Sequence, residues 1–560
     1  VKKVIIMNKS IFKYLSFLLL GIASLGCSSE FLDVKPQAAE NSAAFYLTQE
    51  HADQAITAAY AMFNNIGVWD VGVIQRLGDI PSDDAEAGGA SELDVPELQD
   101  FNRLTPLTTN GVFSEVFGTM YRSIYFCNIA IEEIPSIIET DKNADPVLID
   151  RRVAEAKFCR AINYFYLTML FGGVPLVDHV LGSDEFEAPR TDIKKIYDLI
   201  EQDLKEAIEV LPERSGWGTE TGRATKGAAK ALLARTYLFE SSYAKNYGGK
   251  DKRFDGMTER WAESLKYSEE VINSNEYELI GINGEKYDSW RGQVNGYRYI
   301  FTSDGDNSKE GVFEIQCIQE GLGWSAARGN ALAQWSAARW FYDPASDNLP
   351  TETGMWGFGI PTQALWDSFE PGDPRRDASM VHEGGIDSMQ TSKGKWVPYC
   401  YDHCITKIYS TKWEASSAEF KDKGGPWHSA PQNVRLIRIS EVYLNAAEAA
   451  LMMGDAGKAL TYVNKVRERA RNCGTTGIPA PLASVTMADI IKERRVEFAS
   501  EGKRYADIVR WGIAADLLNA TPTADGFVRE FVVGKHEFHP LPAREVTLSG
   551  GKLVQYDGWQ

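Results

Sequence analysis

Apolar residues recur every three to four positions along most of this chain, and that period predicts amphipathic helices. It runs through Gln49–Phe63, Phe113–Ile134, Arg152–Leu170, Ile193–Leu211 and Lys226–Phe239. It resumes in Trp261–Ile272, Ile439–Met453, Ala456–Ala470, Ala488–Ala499 and Tyr505–Leu517. Strand-like stretches are confined to Gly311–Ile318, Leu436–Ile439 and Phe527–Val533. The expected fold is mainly α. Several helices come as pairs. In SEVYLNAAEAALMMGDAGKALTYVNKVRERA, Ala447 and Ala450 let two helices approach closely, Gly454 and Asp455 make the turn, and Ala459 and Val463 pack back. That spacing matches a tetratricopeptide unit, and KGAAKALLARTYLFE followed by WAESLKYSEEVI is a weaker copy. Such pairs stack into an α-superhelical scaffold with no chemistry of its own.

Residues 285–431 break the pattern. They form a loop-rich excursion with a few short strands, between a helical region at 27–284 and a second one at 432–560. The excursion is rich in Gly, Asp, Asn and Ser, and nine of the 14 tryptophans fall in it: Trp290, Trp324, Trp335, Trp340, Trp356, Trp366, Trp396, Trp413 and Trp427. Few periodic stretches exist there to bury so many indoles. Any one of them taken alone reads as core; taken together, at least two are expected to line a site. Indole faces beside amides and carboxylates suit a sugar, whose CH groups stack while its hydroxyls need directional partners.

The first 26 residues read as an export signal. Lys9 and Lys13 precede a run of about a dozen mostly apolar residues that ends in small residues before Cys27. Tyr14–Leu25 is too short to span a bilayer, which takes roughly 20 apolar residues. Gly26–Cys27 is similar to a bacterial lipoprotein box, although Ser24 stands where an aliphatic residue is usual. Cys27 is the expected lipidated N-terminus, and Ser28 after it favours the outer membrane over inner-membrane retention.

The formal net charge is −19; the signal holds four lysines and no acid, which leaves −23 on the rest. Such a surface repels phosphate backbones, so no nucleic acid is expected as a partner. Seven cysteines in 560 residues do not make a disulfide scaffold. Cys400 and Cys404 flank Asp402 and His403, but a zinc site needs about four ligands and no second cluster follows, so neither metal nor other cofactor is expected.

Several blocks resemble one family. AEAKFCRAINYFYLTMLFGGVPLV (154–177), GRATKGAAKALLARTYLF (222–239), IRISEVYLNAAEAAL (437–451), KERRVEFASEGKRYADIVRWG (492–512) and FHPLPAREV (538–546) are similar to the SusD/RagB family of Bacteroidetes outer-membrane nutrient-uptake lipoproteins. FLDVKPQ after Cys27 and DPRRD (373–377) fit the same pattern. The resemblance implies tetratricopeptide-like helix pairs, a ligand face on the excursion, and a lid-like role over a SusC-like TonB-dependent transporter. Gly354–Met355–Trp356 resembles the segment carrying one aromatic of the starch-binding arc in the starch-utilisation member, which makes Trp356 the leading candidate, with Trp324, Trp335 or Trp340 as a second platform. IPSDDAEAGG sits where that member has polar ligand contacts, making Asp83 and Asp84 candidates. A second family tryptophan has no counterpart in FNRLTP (101–106), which puts starch itself in doubt. The Glu501–Trp511 block reads as structural, a helix start with internal ion pairs.

Two functions of different class follow: a cell-surface lipoprotein that binds an oligosaccharide or other oligomeric nutrient, peptide included, and a secreted glycoside hydrolase or other polymer-degrading enzyme. Hydrolysis needs two carboxyl groups about 5 to 9.5 Å apart, which a sequence does not reveal. No nucleophile elbow, phosphate loop or metal-binding helix motif is present, which favours binding.

Overall fold

The computed structural model describes residues 45–559 apart from 66, 184, 319–327, 347–348, 353–354, 386, 391–394 and 416–428. Cys27, Trp324 and Trp427 therefore lie outside the described residues.

Among the described residues, long helices stack in sequence, each packed on the one before: Gly111–Glu133, Pro146–Phe171, Ile193–Val210, Lys226–Tyr247, Trp261–Ile272, Ile439–Met452 and Ala456–Asn472. Their starts are written in the sequence. The side chains of Asn110, Asp145, Thr225 and Asp455 accept hydrogen bonds from first-turn amides, and Pro146 opens its helix where its missing N–H costs nothing. Ala447, Ala450, Ala459 and Val463 are fully buried between Ile439–Met452 and Ala456–Asn472, with Gly454 at a positive φ of 86° in the turn. Between Trp261–Ile272 and Ile439–Met452 the chain leaves the stack for over 160 residues, yet these two helices are direct neighbours. The scaffold is thus continuous across the excursion.

The neck of the excursion is an antiparallel ribbon of Gly311–Ile315 and Val434–Arg438, paired Val434 to Ile315 and Arg438 to Gly311 and buried along its length. Beyond it, among the described residues, the strands make only two-stranded ribbons. Two expected elements differ. Phe527–Val533 is an open loop with only Phe531 and Arg529 turned inward; no neighbouring strand presents an edge to its alternation. Tyr505–Leu517 splits at Gly512, whose φ of +70° ends one helix, into Arg504–Arg510 and Ala514–Ala520. Among the elements the pattern did not announce is Val68–Asp79, a wide π-type helix buried on nearly every side, whose i→i+5 bonding departs from the 3.6-residue period.

Cys127 and Cys159 meet in the core between two stacked helices; burial pushes the Cys127 thiol up to about 12 and Cys159 well above its usual range. Both are free, as are the other described cysteines.

Charge, not only apolar contact, closes the molecule. Arg438, at the end of the neck, reaches Glu310 at 2.9 Å, Glu497 at 3.0 Å and Glu501 at 2.8 Å. Arg469 reaches Glu310 at 3.1 Å and also pairs with Glu497. Arg375, from the DPRRD block, bonds Asp373 at 2.7 Å, Glu493 at 2.6 Å and Glu497 at 3.1 Å, and Lys412 bonds Glu501 at 2.7 Å. All of these side chains are buried. Burial alone would raise the Glu497 carboxyl, but Arg469, Arg438, Arg375 and Lys412 together outweigh it and hold the group below the ordinary carboxylate range. Burial dominates at Lys412 and pulls its ammonium down to about 8 despite Glu501.

Removing one member of such a network leaves opposite charges buried without a partner, at a cost of about 3 to 5 kcal/mol. Glu497→Gln is expected to lower the melting temperature sharply at pH 7. A carboxyl with a depressed folded pKa stabilises above its unfolded pKa of about 4.3, and that contribution fades as pH falls toward the folded value. The difference in melting temperature between native protein and variant should therefore shrink between pH 5 and pH 3, as scanning calorimetry across that range would show.

Candidate functional site

Five tryptophans lie outside the excursion, Trp69, Trp217, Trp261, Trp511 and Trp559, and all five are buried. Seven of the nine inside it are described, and only Trp413 is buried; Trp290, Trp335, Trp340, Trp356 and Trp366 are half-buried and Trp396 is 43% exposed. The scaffold consumes its indoles and the excursion displays them.

The display is organised on a ribbon in which Ala85–Gly88 pairs with Phe358–Pro361, Glu86 opposite Ile360 and Gly88 opposite Phe358. Glycine is required here. Gly88 and Gly89 sit at φ of +73° and +84°, and a Cβ on them would stand 2.3 Å from the Gly357 carbonyl oxygen and 2.4 Å from the Phe358 ring. The buried amide of Gln75 fastens the ribbon to the core: Nε2 donates to Ser336 Oγ at 2.7 Å and to the Phe358 carbonyl at 2.9 Å.

Trp335, on the short Leu332–Ser336 helix, and Trp356 meet edge to face, with ring centroids 4.7 Å apart at 75°, and Phe358 completes the cluster 5.2 Å from Trp335. The Trp356 N–H donates to the Gln334 carbonyl, and the Arg76 guanidinium lies 4.3 Å above the Trp335 ring. The fit with core neighbours fixes the rings while leaving both residues half-buried. Trp340, on Trp340–Asp343, packs 4.7 Å from the exposed ring of His403.

His403 opens onto a cavity of about 600 Å³ on the same ribbon, lined by Glu86, Glu92, Asn102, Asp402, Lys407 and Asp525 and flanked by Leu93, 84% exposed, and Ile405, 53% exposed. Burial pushes the Glu86 carboxyl up; Asn102 Nδ2 at 2.6 Å and the Ala524 N–H at 2.8 Å donate to it. Other cavities, including one of about 870 Å³ beside Tyr247 and Arg253, lie away from the tryptophan display. Cys400 and Cys404 turn inward while Asp402 and His403 face solvent, and no group of three potential metal ligands occurs among the described residues.

The structure thus brings Trp335 and Trp356 together and packs Trp340 against His403, which lines the cavity. It corrects the reading of Asp83 and Asp84 as ligand contacts. Both are buried: Arg504 Nε donates to Asp83 at 2.8 Å, and Arg495 lies 2.9 Å from Asp83 and 2.6 Å from Asp84. Their backbone carbonyls accept from the Thr362 hydroxyl and N–H, so this turn ties the excursion to the C-terminal helices. The Glu501–Trp511 block is structural, as read, but its bonds are mostly long-range rather than internal. Glu501 pairs with Arg438 and Lys412, Arg504 with Asp83, and Arg510 with Glu448 as well as Asp507; the Trp511 indole N–H donates to Glu448. Sequence reasoning missed Arg76, Phe358 and His403 as neighbours of the tryptophans, since only the fold brings them together. It also missed the stack of Trp290 on Trp396, at 6.3 Å and 14° with Arg291 over both rings.

Two family models match the chain: the SusD family over residues 309–559, and "starch-binding associating with outer membrane" over residues 30–238. The chain belongs to the SusD/RagB family. A SusD-like protein of Bacteroides ovatus is 26% identical over 503 residues, covering 87% of this chain and 80% of its own. The starch-binding protein SusD of Bacteroides thetaiotaomicron is 25% identical, covering 73% of each. Among solved structures, a laminarin-binding SusD-like protein superposes with a TM-score of 0.71 at 26% identity, covering 92% of this chain and all of that one. The mainly α, tetratricopeptide-like architecture is that of the SusD fold.

Asp83→Asn should lower the melting temperature without altering ligand affinity, because the carboxylate answers two arginines and no solvent. A loss of affinity at unchanged melting temperature, measured by calorimetric titration and scan, would return Asp83 to the ligand face.

Proposed function

We propose that this protein captures an oligosaccharide at the outer membrane on the face formed by Trp335, Trp356 and the cavity beside Trp340 and His403. The segregation of its tryptophans carries the reading: indoles are costly to leave wet, and five of five in the scaffold are buried where six of the seven described in the excursion are not. Rings held edge to face against a core present rigid apolar planes for sugar CH groups, while the cavity carboxylates and Asn102 offer hydroxyl partners. The starch- and laminarin-binding relatives support the glycan class.

Binding is favoured over hydrolysis. The Glu86 carboxylate, the most buried acid of the cavity, is already engaged by Asn102 and the Ala524 N–H, and the neighbouring Asp525 is held by Arg103. No helix among the described residues is long and apolar enough to cross a membrane, and a lipid on Cys27 would supply the attachment. The family resemblance supplies the acceptor, a SusC-like TonB-dependent transporter over which the protein closes.

Trp356→Ala is expected to weaken glycan binding by about thirtyfold, the equivalent of about 2 kcal/mol at a binding hot spot. Its melting temperature should fall less than that of Trp69→Ala, because Trp69 is fully buried and its truncation leaves a core cavity. Retention and product release on a glycan panel separate the two functions: retention without new reducing ends is expected. Unchanged affinity in a folded Trp356→Ala variant removes Trp356 from the site.

Anchoring and partnership have their own test. Cys27→Ser should release the protein from the membrane fraction when the transporter is deleted, since stable anchoring takes two acyl chains at about 0.8 kcal/mol per buried CH₂. Detergent extraction of the native protein should recover a large TonB-dependent barrel by mass spectrometry.

A further inference from the structure

The charges and hydrogen-bonding groups of the cavity point further than "glycan". Resting on the reading above, we propose that the ligand is an uncharged, hydroxyl-rich polysaccharide, and that the site discriminates against sulfated and uronate-bearing polymers.

Four carboxylates line the cavity, Glu86, Glu92, Asp402 and Asp525, against one ammonium, Lys407. The ammonium is partly committed, donating to the Tyr401 carbonyl at 2.8 Å with Glu383 at 3.9 Å. Arg103 stands beside the cavity and pairs with both Glu92 and Asp525, one guanidinium for two acids. Arg339, near the same loop, is taken by Asp94 at 2.6 Å. Arg529 adds a third cation beside Glu86 and Asp525, so the four carboxylates still outnumber Lys407, Arg103 and Arg529 by one negative charge. The whole chain adds to it, at −23 beyond the signal.

Hydrogen bonding points the same way. An ionised carboxylate only accepts, so the cavity asks its ligand for donors, and a sugar hydroxyl is one. A sulfate ester or a uronate replaces a donor by acceptor oxygens and brings a charge of the wrong sign. An anionic sugar ring would thus face acceptors with acceptors and carboxylates with anions. By contrast, the half-buried indoles and the aliphatic rim of Leu93 and Ile405 are apolar and suit the CH faces of a neutral pyranose.

The test uses the whole mature protein and matched ligands. Neutral polysaccharides, laminarin and starch among them, are screened by affinity electrophoresis. The glycan retained is then compared with its own sulfated derivative by calorimetric titration at low and at high ionic strength. The derivative is expected to bind more weakly, by about 1.4- to 5-fold for each like-charge contact. Part of that loss should return as salt screens the repulsion, whereas a missing hydroxyl contact does not respond to salt. The double variant Glu92→Gln, Asp402→Asn should narrow the ratio between neutral and sulfated affinities by a similar factor per site, with the ratio, not either affinity alone, as the readout. A sulfated or uronate polymer that binds as tightly as any neutral one, with affinity falling as salt rises, overturns the charge assignment while leaving the protein a glycan binder. Failure of every polysaccharide, neutral or acidic, to be retained overturns the glycan reading itself, and this inference with it.

Discussion

The arrangement rests on one buried knot of charge. Arg438, Arg469, Arg375 and Lys412 meet Glu310, Glu493, Glu497 and Glu501 at the point where the excursion leaves and rejoins the helical stack. Glu310 precedes the outgoing neck strand and Arg438 ends the returning one, while Arg375 and Lys412 come from within the excursion. Two strands alone would not hold such an excursion, because isolated two-stranded ribbons are marginal in water. The network supplies what the ribbons lack, a directional connection in which most charges have more than one partner of opposite sign. Replacing one buried ion pair by apolar residues is often tolerated elsewhere, but here every member except Lys412 has two or three charged partners, so no single substitution can neutralise the set.

A second set of buried polar ties fixes the display itself. The Asp70 carboxylate accepts the N–H of Val71 at 2.7 Å and that of Ala331 at 2.6 Å, just ahead of the helix carrying Trp335, while Gln75 holds Ser336 and the Phe358 carbonyl. Both residues belong to Val68–Asp79, the buried π-type helix. The open indoles are therefore positioned by groups that never see solvent. The Asp83–Asp84 turn, a few residues on, continues the same role with Arg495 and Arg504.

The helical stack was legible because amphipathic helices print their packing as a period of 3.6, and because caps and turns such as Asp145, Thr225 and Gly454 have local chemical causes. The π-type Val68–Asp79 went unread because its wider turn does not repeat at 3.6 residues. Phe527–Val533 alternated like a strand, but strand formation needs a partner edge and the chain offers none there. The site was half legible. An excess of tryptophan over available core could be read from composition alone, and the pairing of Trp335 with Trp356 follows from residues 21 apart in sequence that only the fold brings to 4.7 Å. Asp83 and Asp84 misled because an acidic turn looks the same whether it faces a sugar or an arginine. The arginines that claim them lie more than 400 residues away.

Such a protein can change its ligand without losing its fold. The groups that hold the excursion, Arg375, Glu497, Gln75 and Asp70 among them, are buried and several are bonded from more than one side, so each substitution there is felt in stability. The groups that face the cavity rim, Glu92, Leu93, Asp402 and Ile405, are exposed and make few internal bonds. Surface substitutions of that kind usually change stability by no more than about 0.5 kcal/mol. The frame and the recognition surface are therefore nearly independent in energy although they are interleaved in sequence. A change of sign or size on the rim can alter which polymer is held while the indole platform behind it stays in place.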